Sequence, residues 1–141
     1  MSPSAITSEQ FLDVLRQSMP GARGLDLRIE HLVRGEVTVR LGHDDSRLRP
    51  GGTISGPTVF MLADLALYAV TMSIVGLEPL AVTTDVTIHF LRKPPPAALV
   101  CTAKVLKAGK RLVVGSVEVM SEGASEPVAH VVGTYSVPPR A

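Results

Sequence analysis

Between Pro57 and Val75 the chain carries one formal charge, Asp64, in an otherwise apolar run. Burying a carboxylate without function is costly, and a carboxylate can attack an electrophilic carbon or take the proton of a water that does so. Asp64 is therefore the central candidate for chemistry. Just upstream, Ser55-Gly56-Pro57 reads as a helix start, because proline lacks the N–H that would be unpaired there. The first N–H groups of a helix have no helical acceptor and sit at the positive end of its dipole. Gly56 and Thr58 could thus stabilise a developing oxyanion, whereas Pro57 offers no donor. Ser55 either meets ligand or caps the helix, and capping is the commoner use of a serine there. A third set is basic: Lys107, Lys110 and Arg111 flank Gly109 in a turn, and Arg92 and Lys93 follow a strand. Such clusters hold phosphates through charge-assisted contacts.

Other chemistries find little support. His31, His43, His89 and His130 lie at long spacings that match no metal-ligand motif, and no cofactor is expected. No Ser-His-Asp elbow or glycine-rich phosphate loop is present. The single cysteine, Cys101, sits in an alternating apolar run, where a thiol is usually inert. It cannot form an internal disulfide, which suits a reducing, cytoplasmic compartment; no signal peptide is visible. A net charge of +1 and an aromatic content of 4% with no tryptophan argue against nucleic acid as a partner. The run around Asp64 is nearly long enough to span a bilayer. A mid-span aspartate would be costly in lipid, so a core helix is the better reading and no membrane is expected.

The remaining elements must bury that helix. The 141 residues fit one domain with a short N-terminal helix. Thr7-Ser8-Glu9-Gln10 forms a capping box, Phe11, Val14 and Leu15 make one apolar face, and Met19-Pro20-Gly21 ends the helix. Strands are predicted over Leu25–Val33 and Glu36–Leu41, with a turn at Arg34-Gly35 and with Val37, Val39 and Leu41 on one face. Pro50-Gly51-Gly52 lets the backbone approach a ligand closely. After the long helix, which Gly76 stops, strands are predicted over Ala81–Leu91, Leu99–Leu106, Leu112–Met120 and Pro127–Val137. The turns between the last three are Lys107–Lys110 and Glu122–Ser125. The sum is an α+β domain: a curved, mostly hairpin-linked antiparallel sheet of about five or six strands wrapped around one long helix, the hotdog architecture.

The segment Ser55-Gly56-Pro57-Thr58-Val59-Phe60-Met61-Leu62-Ala63-Asp64 resembles the PaaI-like hotdog-fold acyl-CoA thioesterases, which have a His-Gly-Gly turn, a helix and Leu-Ala-Asp at this spacing. The strand Val82–Arg92 is similar to the family's strand after the helix, which often carries a catalytic Ser or Thr near its start. The resemblance spans about Leu41 to Val137. Here Ser55-Gly56-Pro57 stands where the family has His-Gly-Gly, and Arg49 stands nearest the position of an upstream Asn.

The resemblance implies hydrolysis of the thioester of an acyl- or aryl-acyl-CoA. Asp64 would be base or nucleophile, the Gly56 N–H would polarise the carbonyl, and Thr83 would position the attacking water. Thr84 points to the opposite face of the strand. Arg49, Ser55, Arg92, Lys107, Gly109, Lys110 and Arg111 are then candidate substrate-binding residues, the basic ones for the CoA phosphates. The implied assembly is a homodimer, or two dimers paired as a homotetramer. The competing expectation is a non-hydrolytic acyl-CoA-binding or regulatory hotdog domain. A hotdog hydratase is disfavoured because Pro57–Val75 contains no histidine.

Overall fold

A computed structural model describes residues 2–139. Helix α1 spans Ser8–Ser18, opened by the predicted capping box: Thr7 Oγ1 accepts from the Gln10 N–H at 3.1 Å, and the Gln10 side chain accepts from the Thr7 N–H at 2.9 Å. Its apolar face buries Phe11 and Leu15. Strands β1 (Leu27–Val33) and β2 (Glu36–Leu41) form a hairpin, and Val37, Val39 and Leu41 all point into the core.

Gly51 and Gly52 both take positive φ, 100° and 83°, and make the tight turn that carries the chain back toward helix α2 (Gly56–Val75). Side chains with a Cβ rarely adopt that conformation, so the glycines serve the turn itself. Helix α2 is apolar enough to span a bilayer by length and composition, yet 72% of its most apolar window is buried inside the protein. Gly76, at φ 90°, ends it.

The other strands are β3 (Val82–Phe90), β4 (Leu99–Ala108), β5 (Leu112–Ser121) and β6 (Pro127–Ser136). Among the described residues six strands form one antiparallel sheet in the order β1-β2-β4-β5-β6-β3, curved around α2 in the hotdog arrangement. Three neighbouring pairs are hairpins, as alternation and turns suggest. The strand after the helix is different: β3 crosses to the far edge and pairs with β6. Strand β4 also runs past the predicted Leu106 to Ala108, because a bulge between Val105 and Lys107 lets pairing with β5 resume. Lys107 is thus on the strand, and the turn contracts toward Gly109–Arg111.

Sheet and helix meet closely at a glycine pair. Gly115 of β5 lies opposite Gly133 of β6, and Leu67 of α2 packs over both. A Cβ added to Gly133 would lie 2.6 Å from Leu67 Cδ1 and 3.2 Å from the Asp85 carbonyl oxygen. Leu67 could swing away, but the backbone oxygen of β3 could not. Gly133→Ala is expected to lower stability by about 1–3 kcal/mol, the usual cost of overpacking, read as a lower urea midpoint. An unchanged midpoint would show that helix and sheet separate here without cost.

Candidate active site

Asp64 lies one helical position beyond the buried Ala63 and is itself half-buried, at the sheet edge formed by β3 and β6. Two hydroxyls donate to the same carboxylate oxygen: Thr83 Oγ1 to Oδ1 at 2.8 Å and Tyr135 Oη to Oδ1 at 2.9 Å. Tyr135 Oη also lies 3.1 Å from the Asp64 carbonyl oxygen. The two donors come together because Thr83 and Tyr135 are cross-strand partners. A bulge after Thr83 turns Thr84 away, and its hydroxyl donates to the Thr134 carbonyl at 3.2 Å. Among the described residues Oδ2 of Asp64 accepts no hydrogen bond. Asp64 borders a cavity of about 400 Å³ that Leu65, Tyr68, Val82, Thr83 and Tyr135 also line, with Met19 from the end of α1.

The chain's two tyrosines stack there, ring centroids 5.7 Å apart, and Phe11 of α1 meets Tyr68 edge-on at 5.8 Å. Burial, with the adjacent Asp64 carboxylate, pushes the Tyr135 phenol far above its ordinary range. It is therefore a hydrogen-bond donor at any working pH. Cys101 is buried and its thiol is pushed up to about 12, which leaves it without thiolate character.

The helix start has one donor to spare. Ser55 caps it: Oγ accepts from the Thr58 N–H at 3.3 Å, and the Ser55 carbonyl accepts from the N–H groups of Thr58 and Val59 at 3.1 and 3.2 Å. Thr58 is thereby occupied, and Pro57 has no N–H. Among the described residues the Gly56 N–H alone in this turn has no partner. Gly56 borders two clefts. One, of about 260 Å³, also includes Arg49, Phe90, Arg92 and Lys93; the other, of about 490 Å³, includes Pro57, Phe60, Ile88 and Phe90. Neither contains Asp64. The Gly56 φ is not positive, so the backbone does not demand glycine; a Cβ there would rest 3.4 Å from the Phe90 ring, an ordinary contact. What the missing side chain provides is room.

The basic residues fall into two sets. Lys107, Gly109, Lys110 and Arg111 belong to the β4–β5 hairpin, and Arg111 Nε donates to the Val137 carbonyl at 2.8 Å. The register Leu112–Ser136–Val82 puts this hairpin off the same end of the sheet as Thr83. Arg92 lies off the other end, ion-paired with Glu126 and donating to the Pro127 carbonyl at 2.7 Å. At about 3.3 Å per strand residue, roughly 30 Å separates it from Thr83. A single phosphate cluster joining Arg92 to the hairpin does not form, because β3 runs between them; Arg92 instead joins Arg49 beside Gly56. Tyr135 and Phe90 carried no sequence signal, since each gains its place only through strand pairing.

Residues 51–128 match the Thioesterase superfamily. A candidate thioesterase from Silicibacter sp. TM1040 is 40% identical, over 96% of this chain and 94% of its own, with a TM-score of 0.86. The E. coli PaaI protein from the phenylacetic acid degradation operon is 25% identical, over 93% of this chain and 95% of its own, at a TM-score of 0.79. A mutant of the phenylacetic acid degradation protein PaaI from Thermus thermophilus is 28% identical, over 84% and 99%, at 0.74. No curated protein matches the chain.

Proposed function

The chain belongs to the thioesterase superfamily and is a thioester hydrolase, and from that premise we propose that it hydrolyses acyl- or aryl-acyl-CoA with Asp64 as the group that drives attack. The observation that carries this reading is the Asp64 carboxylate, which borders a cavity with Oδ1 held by two hydroxyls and Oδ2 without a partner among the described residues. Thr83 uses its proton on Asp64, so its oxygen is left as an acceptor. A water held between Thr83 Oγ1 and Asp64 Oδ2 would present a lone pair to the thioester carbon. Asp64 takes the water's proton as the carbon–oxygen bond forms. A backbone N–H stabilises the oxyanion, the carbon–sulfur bond breaks, and the thiolate recovers the proton from Asp64. Direct attack by Oδ2 would instead break the carbon–sulfur bond and expel the thiolate, giving a mixed anhydride; water opens it to the free acid and the Asp64 carboxylate, and the released proton goes to the thiolate.

The donor proposed for the oxyanion is Gly56 of a second copy of the chain. Residues 56 and 64 are about 12 Å apart along one helix at 1.5 Å per residue, and they border different cavities. Reacting atoms need about 3–3.5 Å. A two-fold axis near Phe60, midway between them and 38% exposed, would bring each Gly56 to the other chain's Asp64. The open edge β3, with Val82 57% and Phe90 55% exposed, supports pairing there. We propose a homodimer on this basis, and the pairing of two dimers into a tetramer follows from the resemblance alone.

The test is release of free thiol from a panel of acyl-CoAs, followed with a thiol-reactive dye. Thiol release on at least one acyl-CoA is expected. Binding without release would sink the hydrolytic reading in favour of an acyl-CoA-binding protein. The same assay examines the hairpin. Arg111→Ala is expected to raise KM for acyl-CoA several-fold while sparing a short thioester without the nucleotide, because the lost contact is remote from the bond. Equal damage to both substrates would remove the hairpin from nucleotide binding.

A further inference from the structure

Asp64 is held by more than the strand that follows its helix. The Tyr135 hydroxyl meets both its Oδ1, at 2.9 Å, and its carbonyl oxygen, at 3.1 Å. Tyr135 is 5% exposed and its ring is fixed against Tyr68 at an interplanar angle of 21°. Tyr68 is itself held by the bond from its hydroxyl to the Pro79 carbonyl at 2.8 Å. The phenol thus has little freedom to leave the carboxylate. Within one chain Thr83 lies on the edge strand β3 and has no comparable ring contact. A carboxylate rotates about its Cβ–Cγ bond unless its oxygens are distinguished, and two donors on one oxygen distinguish them.

We infer that Tyr135 is a positioning residue: with Thr83 it reserves Oδ1 for hydrogen bonding and leaves Oδ2 as the oxygen that acts on the thioester. This rests on the hydrolytic reading above. Its effect falls on the step that uses Oδ2, and binding of the acyl-CoA does not depend on it.

Tyr135→Phe keeps the ring, its stacking and its burial and removes one O–H. Thr83→Val removes the other donor at nearly the same volume. Both variants, their combination and Asp64→Asn are assayed as full-length protein on an acyl-CoA that the unaltered enzyme hydrolyses. Tyr135→Phe is expected to lower kcat about tenfold, the loss of one hydrogen bond to a charged group, with KM within about twofold. The remaining donor still marks Oδ1 in part, so the double variant is expected to lose more than the product of the single losses. Circular dichroism and thermal melting establish that each variant is folded. A folded Tyr135→Phe with kcat within about twofold of the unaltered enzyme overturns the inference, as does a loss confined to KM. If Tyr135→Phe folds too weakly to assay, the same question passes to Thr83→Val in a crystal. Dispersal of the Asp64 carboxylate despite an intact Tyr135 overturns the inference, and a carboxylate still oriented on Tyr135 supports it. Failure of the unaltered enzyme to release thiol would overturn the hydrolytic reading and this one together. Active unaltered enzyme, inactive Asp64→Asn and fully active Tyr135→Phe overturn this one alone.

Discussion

Asp64→Asn is expected to lower thioester hydrolysis at least about a hundredfold, the scale of losing a general base or nucleophile, while leaving the fold intact. The asparagine carbonyl can take the place of Oδ1 and accept from Thr83 and Tyr135, whose donors select that orientation. The amide nitrogen then stands where Oδ2 was. It has the size of the oxygen and neither its basicity nor its nucleophilicity. Because Asp64 is half-buried and no cation among the described residues faces it in its cavity, removing the charge leaves no partner unpaired. The melting temperature should therefore stay close to that of the unaltered protein. Steady-state thiol release with matched melting curves checks both halves. Near-normal turnover by a folded Asp64→Asn protein would remove Asp64 from the mechanism.

The second large effect is a recovery. Asp64→Ala and Gly56→Leu proteins are each expected to be inactive. The first lacks the carboxylate, and the second fills the space that Gly56 leaves beside Phe90. If each site uses Gly56 of one chain and Asp64 of the other, a mixed dimer holds one intact site and one doubly damaged site. Random subunit exchange between equal amounts should then restore about a quarter of the normal activity, since half the dimers are mixed and each has one of two sites. Distinguishable affinity tags on the two variants isolate the mixed dimer and show that exchange occurred. Inactive mixed dimers would mean that each site lies within one chain, and the oxyanion donor would have to be sought nearer Asp64 than Gly56.

Much of this protein is written locally. The capping box at Thr7, the cap at Ser55, the length of α2 and the inward face of β2 each depend on residues a few positions apart. Short-range hydrogen bonds and periodic burial fix them before any long-range contact forms. Asp64 was legible for the same reason, as a single charge that an apolar helix cannot ignore. Thr83 was legible through resemblance, and its bond to Asp64 spans only 19 residues.

Tyr135 was not legible, because 71 residues separate it from Asp64 and nothing in β6 signals which strand it will face. That partner follows from the crossing of β3 to the sheet edge, which helix α2 imposes by occupying the concave face. The same crossing divides Arg92 from the Lys107–Arg111 hairpin, although the sequence offers them as similar basic punctuation after strands. The sequence by itself determined where a lone charge falls in an apolar helix and which segments are helix or strand, since charge, proline and periodicity act over one or two turns. Only the tertiary structure decided which hydroxyls meet the carboxylate and which charges share a cleft, because strand order is set by how the whole sheet closes over one buried helix.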